Sequence, residues 1–322
     1  METLQFSDRQ DSVRFYEDRY AHGYMGHWSV FEKARLINLV RELQLPARGV
    51  ALDFGCGRGI FTSVIREALP GWRIFGCDIS AEAIAWAKQH QPDITFFVLG
   101  DKAYDNLRAD FIHSHHVLEH TFNAEITARE MAGYAAAACT MLHSFPCDHP
   151  GSLEYQLSEA VKSGIDPENG KFFFEDTAHQ RRLSRKKAEA LFAGDGFKGV
   201  DASYANQRAG AVKWIAESDL ALVLNITDSR LARDATAAAF LKGWRRKLLF
   251  RWWCHFAATA FTPADRGRHY RLKRVIQFLA FVSCFWFAIP VNRAMQRAAL
   301  REWETDRKKE NGSDLFLVLR RG

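Results

Sequence analysis

Apolar residues recur along the first two-thirds of the chain in two alternating rhythms. In residues 14–45, Phe31, Leu36, Ile37, Val40 and Leu43 fall at helical spacing among Glu32, Lys33, Arg35, Arg41 and Glu42. That pattern predicts one helical segment, which Pro46 ends. Short apolar runs at 50–54, 72–78, 94–101, 109–115 and 139–146 read as strands, and helical patterns at 60–69, 80–90 and 124–138 separate them. Strand and helix alternate at the spacing of βαβ units, which calls for an α/β fold with a doubly wound, mostly parallel sheet. A sixth strand is predicted at 197–204 and a last one at 314–321. The chain thus divides into an N-terminal helical lid (1–46), a core (47–204), a helical insert (205–312) and a final core strand (313–322).

Composition adds little to the core and much to the insert. A hydrophobic share of 48% and a charged share of 25% are those of a globular chain. The six cysteines include no C-x-x-C pair, which argues for reduced thiols and against a thiolate zinc site. Residues 1–20 mix charges throughout, so the expectation is a cytoplasmic protein without a secretory signal. The net charge of +6 is uneven: residues 242–301 hold thirteen Lys and Arg against one acid, Asp265. Within them 275–291, VIQFLAFVSCFWFAIPV, is a seventeen-residue apolar run flanked by arginines on both sides. It falls short of the ~20 residues of a spanning helix. An interfacial membrane element, a helical cap on the body or a second subunit, and a nucleic-acid platform all compete for this region. Nucleic-acid surfaces interleave aromatics with charge, so apolar continuity favours the first two. The expectation is peripheral attachment to a membrane surface through 242–301, with nucleic acid disfavoured.

The candidate chemistry lies in the core. The run D53-F-G-C-G-R-G59 sets Gly55, Gly57 and Gly59 directly after a strand, where a ligand can lie against bare backbone. A dinucleotide fingerprint would place its third glycine one residue later. Asp53, ahead of the loop, suits a ligand carrying an ammonium group and repels a pyrophosphate. Asp78 ends the second strand, where a carboxylate can take two ribose hydroxyls. Asp101 ends the third, placed to meet an adenine amino group. One strand-end aspartate is usually a cap; three in register with a glycine loop point to a nucleoside ligand.

Residues 113–120 read HSHHVLEH and contain H-x-x-E-H at His116, Glu119 and His120. That is the spacing of inverted zinc proteases, which need it in mid-helix with a further acidic ligand downstream. Here the first histidine sits at a strand end, and a protease leaves the glycine loop unexplained. His113 reads as a core residue. His116 and His120 are the candidate bases, oriented by Glu119. After the fifth strand His143, His149 and Glu154 are candidates for an acceptor pocket. Tyr16, Tyr20 and Trp28 are candidates for a lid.

ALDFGCGRG, CDIS, LGD and ADFIHSHHVLEH, in this order and spacing, resemble the class I S-adenosylmethionine-dependent methyltransferases. The likeness runs over about 14–204 and resumes at 314–321, and V-L-E-H resembles the ubiquinone-pathway O-methyltransferase branch. The resemblance implies a seven-stranded sheet with the last strand inserted antiparallel, and S-adenosylmethionine across the carboxyl ends of strands one to four. It assigns Gly55, Gly57 and Gly59 to the methionine side, Asp53 to the sulfonium and amino region, Asp78 with Ile79 to the ribose, and Asp101 to the adenine, with His115 beside the cofactor. Relatives with E-x-x-E-H at this site hold a divalent metal, so His116, Glu119 and His120 form an alternative metal set. The expected activity is methyl transfer to a hydroxyl of a small, lipid-linked or glycan-type acceptor near the membrane surface. The alternatives are N- or C-methylation of a soluble metabolite, and a non-catalytic, membrane-associated scaffold that binds S-adenosylmethionine.

Overall fold

The computed structural model describes residues 6–24, 28–262 and 270–322. Parts of the lid segment (1–5 and 25–27) and of the basic insert (263–269, including Asp265) lie outside the described residues. Seven strands form one sheet in the order β3-β2-β1-β4-β5-β7-β6. They are β1 (Val50–Phe54), β2 (Arg73–Asp78), β3 (Thr95–Val98), β4 (Ala109–His115), β5 (Ala135–Pro146), β6 (Phe197–Ala205) and β7 (Asp314–Arg321). β1 pairs in parallel with β2 and β4, and the pairs β2–β3 and β4–β5 are also parallel. Strands covered on both faces read as continuous apolar runs, which is why they were visible in the sequence. The strand order reverses at β1 and β4, the place where doubly wound sheets open a crevice at the carboxyl edge.

Two helical expectations are corrected. The segment 14–45 is not one helix: α1 (Arg9–Ala21) and α2 (Val30–Glu42) are separate. Gly23 turns left-handed at φ +88°, and Ser29 opens α2 through a reciprocal capping box with Glu32. The helix predicted over 124–138 is α5 (Ala124–Gly133), and the alanines from Ala135 onward belong to β5. Pairing of Ala135 with Ala109 of β4 overrides the helical propensity of alanine.

The chain clusters into two units. One holds Glu2–Pro146, Thr177–Ala202 and Leu315–Gly322. It contains α1, α2, α3 (Ile60–Ala68), α4 (Ala81–His90), α5, and a later helix, Arg185–Ala193. In it α1 is held to the start of α4 by the Glu17 carboxylate, which accepts from the Ala81 and Glu82 amides at 2.6 and 3.2 Å.

The other unit gathers Cys147–Asp176 with Ser203–Asp314. Its core packs Leu157, Phe172, Ile215, Val223, Leu241 and Trp244. Two long helices dominate it, Ala235–Ala258 and Tyr270–Asp306.

Candidate active site

The loop after β1 is held in a shape that requires glycine. Gly55, Gly57 and Gly59 stand at φ +73°, +51° and +77°. The Gly55 and Cys56 amides both donate to the Cys77 carbonyl, at 2.8 and 2.9 Å, bending the chain over the end of β2. A Cβ on Gly55 would lie 2.4 Å from Val117, and one on Gly57 would lie 2.5 Å from the Tyr20 hydroxyl. The loop therefore leaves no room for a side chain on either side. A ligand can meet its backbone directly.

The three aspartates separate in the structure. Asp78 is buried beside the loop: Oδ2 accepts from the Gly57 amide at 2.8 Å and Oδ1 from the Ser80 amide at 2.9 Å. Loss of hydration raises its pKa to about 6, against the pull of those two hydrogen bonds. Asp53 turns inward. Its Oδ2 accepts from the Thr62 hydroxyl at 2.6 Å, and its Oδ1 pairs with His113 Nδ1 at 2.7 Å, with all three groups buried. Asp101 is exposed and caps a short turn through the Ala103 amide at 3.0 Å. Only Asp78 of the three lines the cavity at the carboxyl edge.

That cavity is walled by the glycine loop, Asp78, Ile79 and Leu99, and by His115, His116 and His120 from the β4 end. Tyr16, Tyr20 and Trp28 of the N-terminal segment also line it. His115 packs between Phe61 and Trp28, with ring centroids 4.0 and 5.0 Å away. Loss of hydration, and then His116 and His113, hold it well below the usual histidine range, so it is neutral. His113 is a core residue, as its place on the strand suggested.

His116 adopts φ +53°, a left-handed conformation that is uncommon for a side chain of this size. Its amide donates to the Ser144 carbonyl at 2.8 Å, and its Nδ1 lies 2.6 Å from Glu119 Oε1. Glu119 is fully buried. Burial pushes its carboxyl up, but His116, His120 and His179 together bring it below the usual range, so it is ionised. An ionised Glu119 keeps the His116 proton on Nδ1, which makes Nε2 the basic nitrogen of the ring.

His179 and Arg181 are functional candidates that sequence reasoning passed over. Ligand atoms of Glu119, His120 and His179 all lie within 4.8 Å of one another, so the cluster suited to a metal includes His179. His116 reaches that group through its bond to Glu119. Glu119 Oε2 is buried with no hydrogen-bond partner among the described residues, an arrangement that suits a cation. Two imidazoles and a carboxylate fit zinc or another first-row divalent ion. The segment that brings His179 also clamps the loop: the Gln180 amide donates to the Glu119 carbonyl at 2.7 Å. Arg181 donates to the carbonyls of Leu118, Thr121 and Phe122 at 3.0, 2.6 and 3.1 Å.

The acceptor-pocket candidates do not join the cavity. His143 is buried against Phe192, bonded to the Ser114 hydroxyl, and pushed down to about 3 by desolvation. His149 and Glu154 belong to the second unit. There Glu154 is buried and accepts from Trp214 Nε1 at 2.7 Å and from the Ser313 hydroxyl.

Residues 27–202 match the profile of a family described as a methyltransferase domain. Protein 235L of Invertebrate iridescent virus 6, named as an inferred methyltransferase, is 24% identical over 166 residues. The match covers 42% of this chain and 62% of that protein, so the chain spans less than two thirds of this relative. Among solved structures, the magnesium protoporphyrin IX methyltransferase of Synechocystis PCC 6803 is 18% identical, with 61% of this chain and 93% of that chain covered at a TM-score of 0.44. The cyclase SpnF is 13% identical, with 99% and 98% covered at a TM-score of 0.49.

Proposed function

Because this chain belongs to the methyltransferase domain family, we propose that it transfers a methyl group from S-adenosylmethionine to a hydroxyl oxygen, with His116 as base and Glu119 as its orienting partner. The observation that carries the reading is the His116–Glu119 hydrogen bond at the wall of a cavity that also holds the glycine loop and Asp78. S-adenosylmethionine, when bound, supplies an electrophilic methyl group. The residues suited to hold it are Gly55, Gly57, Asp78 and Ile79, with Tyr16, Tyr20 and Trp28 excluding water around it.

Displacement at a methyl carbon is accelerated chiefly by alignment, worth up to ~7–11 kcal/mol in well-oriented systems. A base is required only when the nucleophile must lose a proton. His116 Nε2 takes the hydroxyl proton, and Glu119 keeps Nδ1 protonated so that the imidazolium is stabilised as it forms. A base oriented by a buried carboxylate favours a hydroxyl over a neutral amine, which attacks without prior deprotonation. The intact glycine loop and dyad speak against a non-catalytic scaffold. The acceptor we propose is small, lipid-linked or glycan-type, met near a membrane surface, on the strength of the aromatic and basic helices of the second unit.

A second reading has its own observation. The unpartnered Glu119 Oε2, with His120 and His179 in reach, would hold a divalent ion beside His116. The ion would supply Lewis acidity toward the acceptor oxygen. Calorimetry with S-adenosylmethionine and S-adenosylhomocysteine tests the main reading. Absence of binding to either ends it.

A further inference from the structure

The two long helices of the second unit, α10 (Ala235–Ala258) and α11 (Tyr270–Asp306), follow its shorter helices α6 (Leu153–Glu159), α8 (Ala209–Glu217) and α9 (Leu220–Ile226), while α7 (Arg185–Ala193) belongs to the first unit. α11 buries one stripe along its length, from Gln277 through Ala280, Cys284 and Ala288 to Met295 and Ala299. Its outer face changes character. Before Pro290 that face exposes Leu272, Val275, Leu279, Val282 and Trp286, the last at 69%. After Pro290 it exposes Arg293, Arg297 and Arg301.

α10 changes in the same sense and at the same level. Arg246 and Lys247 are exposed, followed by Phe250, Trp253 and, just past the helix, Phe261. Phe250 stacks on Phe287 at 6.3 Å, while Phe261 meets Phe281 at 5.0 Å farther along. The seam between the helices is made of small side chains, Cys254, Ala257, Ala280, Cys284 and Ala288. Small residues inside and large apolar ones outside reverse the order of a helix pair that faces water. The distal half of the pair is built for an apolar surrounding.

We propose that this distal half lies in the plane of an anionic membrane leaflet, with its apolar face among the acyl chains and its cations on lipid phosphates. By length and composition α11 is able to cross a membrane, although its apolar run from 275 to 291 covers ~26 Å of helix against a hydrocarbon core of ~30 Å. Topology argues against a span. β6 precedes the hairpin and β7 follows it as its sheet neighbour, so both ends of the hairpin stay on one side. A crossing would therefore also carry Arg251 and His255 of α10 through the bilayer.

Charge selects the occupant. Arg246, Lys247 and Arg293 stand at one end of the apolar face and Arg271, Lys273 and Arg274 at the other. No acid occurs among the described residues from 242 to 301. Phosphates of one leaflet can meet both sets at once. A second copy of the chain would bring like charges together. The inference deepens the proposed membrane-surface setting of the acceptor, and its failure would leave methyl transfer itself, which cofactor binding tests, untouched.

Flotation of the full chain with vesicles tests it directly. Wild-type protein is expected to float with equimolar phosphatidylcholine–phosphatidylglycerol vesicles, less with phosphatidylcholine alone, and to be partly released by high salt. The double variant Leu279→Glu/Trp286→Glu changes two exposed side chains and should bind roughly tenfold or more weakly, with its melting temperature and S-adenosylhomocysteine affinity retained. Wild-type protein that stays unbound with both vesicles overturns the proposal, as does a variant that floats like wild type. Equal, salt-insensitive binding to both vesicles overturns the anionic requirement. Oligomers dispersed by the glutamates, without vesicle binding, would assign the face to a second copy instead.

Discussion

Asp78 should make cofactor binding depend on pH in a window where few carboxylates titrate. Its pKa is raised from 3.8 to about 6 because burial outweighs the two backbone amides it accepts from. A carboxylate that takes two ribose hydroxyls must be ionised, and near pH 5 only about one free molecule in eleven is in that form. The apparent affinity for S-adenosylhomocysteine at about pH 5 should then be ~10-fold weaker than at about pH 8, with close to one proton released on binding. The same shift acts on folding with the opposite sign. A folded pKa above the unfolded one stabilises the protein below about pH 4, and this is lost as pH rises through about 6, by up to ~3 kcal/mol. Bound cofactor offsets that loss, so its thermal upshift should grow from acid to neutral pH. Calorimetry in two buffers of different ionisation heat measures both affinity and proton release. Asp78→Asn should bind weakly and with no step near pH 6. A wild-type affinity that is flat between about pH 5 and 8, or an Asn variant that keeps the wild-type curve, refutes the reasoning.

Three further outcomes test the rest of the site. Glu119→Gln removes the charge that fixes the His116 tautomer, so turnover of any acceptor should fall ~100–10,000-fold with cofactor affinity unchanged; wild-type turnover would remove the dyad. Arg181→Met removes the guanidinium from the Thr121 and Phe122 carbonyls and leaves the Leu118 carbonyl to the Thr121 hydroxyl; it should cost ~2–4 kcal/mol, read as a lower unfolding midpoint in denaturant, and an unchanged midpoint means the clamp is not structural. Adding zinc or manganese to chelator-treated protein should raise the melting temperature, and His179→Ala should abolish the rise; no rise in wild type ends the metal reading.

The sheet and the glycine loop were legible in the sequence because their causes are local. Buried parallel strands need continuous apolar runs, and a loop pressed between Val117 and Tyr20 needs glycine. Errors arose where a distant partner decides. The alanines after Ala135 look helical until β4 pairs with them. Asp53 looks like a ligand contact, but it turns inward to the Thr62 hydroxyl and His113 on other elements and does not line the cavity. His179 and Arg181 sit in HQRRLSRKK, which by composition is an ordinary basic stretch. Only the fold carries them some sixty positions back to the loop after β4.

That loop is fixed from more directions than its own sequence can supply. Ser144 of β5 accepts the His116 amide, Gln180 donates to the Glu119 carbonyl, and Arg181 gathers three carbonyls between Leu118 and Phe122. Such over-determination lets His116 keep φ +53°, a conformation that costs a non-glycine residue ~1–3 kcal/mol. Glycine or asparagine would hold that backbone at lower cost. What only histidine adds there is a ring bonded to a buried, ionised Glu119 and lining the cavity. Strain retained at so rigidly held a ring supports the proposed role of His116 as base, since a preorganised ring need not be reoriented as the proton moves.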